Sequence, residues 1–279
     1  MPDFTPVGSL LAGLLGAAPS PPPAPLLEDA LSTGLPALDA LTGGWRPGEL
    51  VLVGGEAGAG KSALLYGQAL HTARSGGRVA LAPLKHTASI ALWRLTSTLA
   101  GVELQRMMRG ELSLPERAAV AAAAEELSGL PLHVMTAEAT GEELVEQARR
   151  LHRAHGLALL VVDGVHALDA GGERDEGAVP RPLRLAQAMA GLRDVAHELR
   201  VPVLTSVSPA ADAERLAPSA DRTLRIDATD AQGIATLELR MEGAVRGSAR
   251  LRFAAARLRF EPAQEPGADL SRGPGGGEG

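Results

Sequence analysis

Apolar residues in this chain occur in two alternating patterns, short unbroken runs and stripes at helical spacing. The runs Glu49 to Val53, Arg78 to Leu84, Leu132 to Thr136, Leu157 to Asp163 and Pro202 to Val207 read as β-strands. The run Leu157-Ala158-Leu159-Leu160-Val161-Val162 has no alternation, as expected of a strand covered on both faces. Between the runs lie amphipathic helices with marked ends. Thr140 and Glu143 make a capping box, Leu144, Val145, Ala148 and Leu151 the buried stripe behind it, and Gly156 the stop. Ser113 and Glu116 repeat the device before an alanine-rich helix, and Leu185, Met189, Leu192, Val195 or Ala196, and Leu199 form a third stripe. Strands alternating with helices in this order predict an α/β fold with a mostly parallel central sheet and helices on both faces. After Arg222 the period changes to two. Ala235, Leu237, Leu239 and Met241 share one face, and Ala249, Leu251 and Phe253 one face of the next run, which predicts antiparallel strands at one edge.

Outside this pattern the chain divides simply. Residues 1–18 predict a short apolar helix, and 19–31 a Pro-rich linker built around Pro19-Ser20-Pro21-Pro22-Pro23-Ala24-Pro25. Residues 32–261 hold the folded domain, and 262–279 a Gly- and Pro-rich tail expected to be disordered. At 279 residues, one α/β core is the prior. Aromatics are only 2% of the chain, so the core must be built from Ala, Val and Leu, and no stacking platform for single-stranded bases is available. The absence of cysteine excludes disulfides, zinc ribbons and thiol chemistry. With a net charge of -6 the chain gains nothing from global attraction to phosphate backbones, so any nucleic-acid contact must be local. The apolar stretch Val7 to Ala18 is shorter than the roughly 18 residues that cross a bilayer and has no basic segment before it. No membrane association is expected, and the cytoplasm is the default location.

The strongest chemical signal is Gly55-Glu56-Ala57-Gly58-Ala59-Gly60-Lys61-Ser62, which fits G-x-x-x-x-G-K-[ST] with a strand before it and a helix after it. In such a loop consecutive backbone N–H groups turn around phosphate oxygens, and the next helix, from Ala63 on, adds its positive end. Lys61 places a charge on the terminal phosphates, and Ser62 supplies a hydroxyl to Mg²⁺. A phosphate-bound Mg²⁺ takes few protein ligands, so one carboxylate on a neighbouring strand is expected. Asp163, ending the most apolar run, is the candidate. ATP and Mg²⁺ are therefore the expected cofactors.

Ser32-Thr33-Gly34-Leu35-Pro36-Ala37-Leu38-Asp39, followed by Leu41-Thr42-Gly43-Gly44-Trp45-Arg46-Pro47-Gly48-Glu49-Leu50, is similar to the T-G-x-x-x-L-D-x-x-T-G-G-x-x-P-G-x-L lead-in of DnaB-type replicative helicases. KaiC-like and RadA-like proteins carry related lead-ins. Three further stretches resemble the DnaB group more narrowly: Val102-Glu103 through Ser113, Ala148 through Asp163, and Leu192 through Leu204. The likeness covers residues 34 to 261 and implies a RecA-like P-loop fold. It also implies a hexameric ring with ATP between subunits, and hydrolysis driving 5′ to 3′ movement along single-stranded DNA.

The departures bear on chemistry. The family's catalytic Glu aligns with Lys85, and its phosphate-sensing Gln with Ser208. The Lys and Arg contributed by a neighbouring subunit align with Arg240 and Glu242, so that Arg240 could act in trans while Glu242 would repel a phosphate. The segment from Ser208 to Arg222 is short for a DNA-facing loop and contains Asp212 and Glu214. The expectation is an ATP-binding relative with weakened or lost hydrolysis, acting in DNA replication or as a nucleotide-switched partner of replication proteins. An active ATP-dependent DNA helicase and a KaiC- or RadA-like regulatory or recombination ATPase are the alternatives.

Other candidates are less specific. Lys85 and His86 make either an anion contact or a solvated strand end, and His133, His152, His155 and His166 lack metal-ligand spacing. Arg250 with Arg252, and Arg257 with Arg259, alternate along the C-terminal strands and predict a basic face for DNA, an acidic partner or the next subunit. The Val7 to Ala18 helix resembles in position the linker helix by which DnaB-type subunits grip their neighbours.

Overall fold

The computed structural model of the chain describes residues 4–10, 30–169 and 180–263. The N-terminal helix beyond residue 10, the linker up to residue 29 and the tail beyond residue 263 lie outside these residues.

One ten-stranded sheet organises the described residues. Its strands are β1 (Phe4–Pro6), β2 (Leu50–Gly55), β3 (Val79–Ala82), β4 (Leu132–Met135) and β5 (Leu159–Val162), then β6 (Val203–Ser206), β7 (Arg222–Ile226), β8 (Ile234–Met241), β9 (Ala244–Ala254) and β10 (Arg259–Pro262). They lie in the order β1-β4-β3-β5-β6-β2-β7-β8-β9-β10. The strands from β4 through β7 in that order run parallel, while β8, β9 and β10 continue one edge antiparallel, as the period-two pattern predicts.

The helices are α1 (Pro36–Thr42), α2 (Lys61–Arg74), α3 (Ala88–Ala100), α4 (Leu104–Arg109), α5 (Leu114–Gly129), α6 (Gly141–His155), α7 (Arg181–Leu199) and α8 (Ala210–Leu216). Alternate residues of each parallel strand feed two cores. Val51, Val53, Leu81 and Val161 pack with Leu64 and Leu65 of α2 and Leu95 of α3. Leu50, Leu52, Ala80 and Val162 pack on the other face with Leu144 of α6, Met189 and Leu192 of α7 and Ala213 of α8. Both predicted capping boxes are present, Ser113 with Glu116 ahead of α5 and Thr140 with Glu143 ahead of α6. Among the described residues no helix is long and apolar enough to cross a membrane.

Four expectations change. Residues 4–6 are a strand instead of the start of a helix. Pro6 forces the residue before it toward extended backbone, and β1 pairs antiparallel with β4, so both edges of the sheet end antiparallel. Leu31 belongs to the domain and not to the linker, because it is buried and exchanges two backbone hydrogen bonds of 2.8 Å with Trp45. Arg257 sits in the turn Ala255–Arg257, so it does not extend the basic strand row of Arg250 and Arg252. The segment after Ser208 is largely the helix α8, anchored by a buried Asp212 that binds Arg181 and Arg215 at 3.3 and 3.2 Å.

Candidate functional site

Because the central strands are parallel, the carboxyl ends of β2, β3, β5 and β6 share one rim. The glycine-rich loop leaves β2 at Gly55 and enters α2 at Lys61. Gly60 takes φ +97°, and a Cβ there would come within 2.8 Å of the Phe260 ring, so glycine is required by both backbone and space. Phe260 stacks on Phe253 at 4.8 Å, and this pair supports the loop from the antiparallel edge.

Lys61 folds back over the loop it ends. Its ammonium is buried and donates to the carbonyls of Gly55 and Glu56 at 2.6 and 2.8 Å. Burial, and then the ammonium of Lys85, pushes its pKa below the ordinary lysine value, while Asp163 and Glu56 oppose the shift. The loop thus holds its cation ready without a strong counterion, which suits an anionic ligand.

Asp163, at the end of β5, is fully buried and collects three partners on Oδ1. Ser62 donates its hydroxyl at 3.0 Å, Ser206 donates at 2.7 Å, and the Lys85 ammonium lies at 3.3 Å. Lys85 also donates to the Ser62 hydroxyl at 3.4 Å. The other oxygen, Oδ2, has no hydrogen-bond partner, and neither has the buried Tyr66 hydroxyl. Burial and the Asp163 charge push the Tyr66 pKa upward, so the phenol stays protonated.

Around this centre stand an arginine and two histidines. Arg94 of α3 has a buried Nε without a partner. His86 is held neutral by burial, then by the charges of Arg94 and Lys85. His166 is held neutral by burial, then by Lys85 and Arg181, and its Nδ1 accepts the Ser208 N–H at 3.3 Å. Lys85 and His86 also form one wall of a cavity of about 810 Å³ that continues toward Met135, Glu138 and Leu168.

Residues 30–211, more than half of the chain, match the family described as DnaB-like helicase C terminal domain. The chain belongs to that family. The replicative DNA helicase DnaB of Treponema pallidum (strain Nichols) is 28% identical over 193 residues, covering 68% of this chain and 43% of that protein. The replicative DNA helicase DnaB of Rhodothermus marinus is 30% identical over 186 residues, covering 62% of this chain and 19% of that one. The chain therefore spans less than half the length of these curated relatives.

Among solved structures, a DnaB-like replicative helicase described with its interactions with primase superposes with a TM-score of 0.73 at 18% identity, over 84% of this chain and 62% of that one. A RadB recombinase superposes with a TM-score of 0.52 at 22% identity, over 84% of this chain and 100% of that one. These likenesses show a RecA-like fold.

Within this DnaB-like domain, Lys61, Ser62 and Asp163 converge as the loop motif and the strand end lead one to expect. Arg240 and Glu242 are not brought to them by any described contact. The Arg240 guanidinium is held by Glu238 at 2.6 Å on the same strand, with a pKa raised by that carboxylate. Glu242 occupies the tip of the β8–β9 hairpin, nearly fully exposed, 3.8 Å from Arg246.

The donor set does not fit a magnesium ion as it stands. Ser62 and Asp163 are bonded to each other, and an ammonium already touches both oxygens. A dication sharing them would meet that charge at a repulsion of about 4 kcal/mol per unit charge at about 4 Å and an effective dielectric near 20. Ser206, Tyr66, Arg94 and His166 were not legible as site residues. For Ser206 alone a signal existed, since it and Thr205 are hydroxyls at the end of a buried apolar strand.

Proposed function

We propose that this chain is the ATP-binding RecA-like domain of a DnaB-type protein whose hydrolysis is weakened or lost. It acts in DNA replication, or as a nucleotide-switched partner of replication proteins, in the cytoplasm. The single observation that carries this reading is the Lys85 ammonium 3.3 Å from Asp163, at the end of β3 where the family resemblance calls for a catalytic carboxylate. A charged lysine cannot accept the proton of an attacking water, and a general base is typically worth about 10² to 10⁴ in rate. The finger position adds to the deficit: Glu242 stands where the resemblance calls for the arginine, and loss of an arginine finger costs about 10³ to 10⁵.

Retention of the loop Gly55 to Gly60, with Lys61, Ser62 and Ala63 opening α2, supports nucleotide binding. Family membership supports assembly of copies into a ring, with ATP at the subunit boundary and Arg240 offered in trans. Arg250 and Arg252, exposed on β9, are the local basic groups available to single-stranded DNA or to an acidic replication partner.

An active ATP-dependent 5′ to 3′ helicase is the second reading, favoured by the intact Lys61, Ser62 and Asp163. Calorimetry with ATP and ADP, beside turnover with and without single-stranded DNA, separates the two. Binding with slow turnover that DNA does not stimulate is expected. A helicase-like, DNA-stimulated rate overturns the proposal.

A further inference from the structure

We infer that the Lys85 ammonium takes the place of the divalent cation at the phosphate loop, so that this chain binds nucleoside di- and triphosphates without Mg²⁺. The inference rests on the nucleotide-binding reading of the loop and goes beyond it. The ammonium lies 3.3 Å from Asp163 Oδ1 and 3.4 Å from the Ser62 hydroxyl. Those two oxygens are the ones a loop-bound magnesium ion is expected to use.

The position is built. Gly164 adopts φ +98°, and a Cβ there would come within 2.5 Å of Lys85 Cγ and 2.7 Å of Cε. The alkyl chain therefore lies directly across a bare stretch of backbone, and only glycine leaves it room. The buried carboxylate, fully shielded from solvent, is the counterion that fixes the far end, and Ser206 turns that carboxylate by its own hydrogen bond of 2.7 Å.

The chemistry matches what a phosphate needs. An ammonium has three donors: one serves the Ser62 hydroxyl, the charge pairs with Asp163, and a donor remains for a phosphate oxygen. With Lys61 on the same loop, two ammonium groups face the ligand where the usual arrangement offers one ammonium and one dication. Magnesium keeps several waters and near-octahedral geometry at about 2.0 to 2.1 Å, so it cannot share those oxygens with a lysine already in contact. Lys85 thus removes a carboxylate from the water-activating position and supplies the missing positive charge with one side chain.

The test is calorimetric titration of the full chain with ADP and ATP, in EDTA and in millimolar Mg²⁺, for the native protein and for Lys85→Ala. The native protein is expected to bind with the same affinity in both buffers. Lys85→Ala is expected to lose about ten- to hundredfold in EDTA, the worth of one charge-assisted hydrogen bond, and to recover in Mg²⁺ as the ion enters the freed Ser62 and Asp163 pair. Should that variant fold poorly, Lys85→Gln, of similar length and without charge, gives the same comparison. Native binding that collapses in EDTA overturns the inference while leaving nucleotide binding intact. Equal insensitivity to EDTA in Lys85→Ala overturns the role given to the lysine. Absence of binding in both buffers overturns the nucleotide reading itself.

Discussion

At the scale of single residues, the centre of the site is a buried carboxylate whose neighbours are almost all donors or cations. Asp163 is fully buried and Lys85 is 22% exposed, so their pairing lies between a surface bridge and a dry one. Breaking one side leaves a buried charge without its partner. Asp163→Asn and Lys85→Met should each lower stability by about 1 to 3 kcal/mol, discounted for the partial exposure of the lysine. The double variant should cost less than the sum, because neither charge is then stranded. Urea melts of the four proteins check this, and strict additivity would show that the two groups do not interact. The histidines set a second expectation. His86 and His166 are held below their ordinary pKa of 6.5, by burial first and by neighbouring cations second. Below about pH 6.5 the unfolded chain takes up protons that the folded chain refuses, so stability is full above that pH and falls as pH drops toward the folded values. Melting temperature should stay level above neutrality and fall on acidification, with a shallower slope in His166→Gln. A melting temperature that rises on acidification would contradict the assignment. Lys61, Ser62 and Asp163 were legible because a loop motif and a strand end fix them locally. Ser206 and Tyr66 were not, because Ser206 reaches Asp163 only through the placement of β6 beside β5, and Tyr66 comes under the Asp163 charge only through the packing of α2 on that face.

At the scale of elements, patterns that close within a few residues are legible in the sequence, while an element that depends on partners from distant parts of the chain can be hidden. The capping boxes and the apolar stripes of α6 and α7 depend on neighbours three or four positions away, and they stand as read. The acidic segment after Ser208 looks like a loop, yet it is the helix α8. Asp212 gains burial and two arginine partners there that come from the fold as a whole. Glu242 has a local explanation of a different kind. It and Gly243 take φ of 51° and 77° between paired Met241 and Ala244, the left-handed pair that a two-residue hairpin of type I′ demands. A glutamate in that region is strained, and its pairing with Arg246 at 3.8 Å is too exposed to compensate. Glu242→Asn should therefore stabilise the chain by about 0.5 to 1 kcal/mol and leave nucleotide affinity unchanged. A loss of affinity in thermal and calorimetric measurements would show instead that Glu242 reaches the nucleotide.

At the scale of the molecule, the sheet's parallel half needs an edge, and the first described residues supply it. β4 would otherwise offer unpaired backbone groups along its outer side, an open template for pairing with another chain. β1 covers it, through Phe4 against Met135 and Thr5 against Val134, and residues 4–10 together reach both cores. Phe4 is buried on the side of α6, while Val7 is buried on the side of α2, with Leu10 packed beside it. The apolar start of the chain thus serves its own fold up to residue 10, whatever the residues after it do for a neighbour. Removing residues 1–6 strips the strand and the Phe4 ring, whose burial is worth about 2 to 3 kcal/mol. At about 2 to 4 °C per kcal/mol for a domain of this size, the melting temperature should fall by roughly 4 to 12 °C. Aggregation should rise with concentration as the β4 edge opens. Nucleotide affinity should be little changed, because β4 still stands between that edge and β3, which leads to Lys85, and four strands stand between it and β2, which carries the phosphate loop. An unchanged melting temperature would mean that β4 does not need its cover. Lost nucleotide affinity in a folded truncation would mean that the edge is coupled through β4 to the rim that holds Lys85 and Asp163.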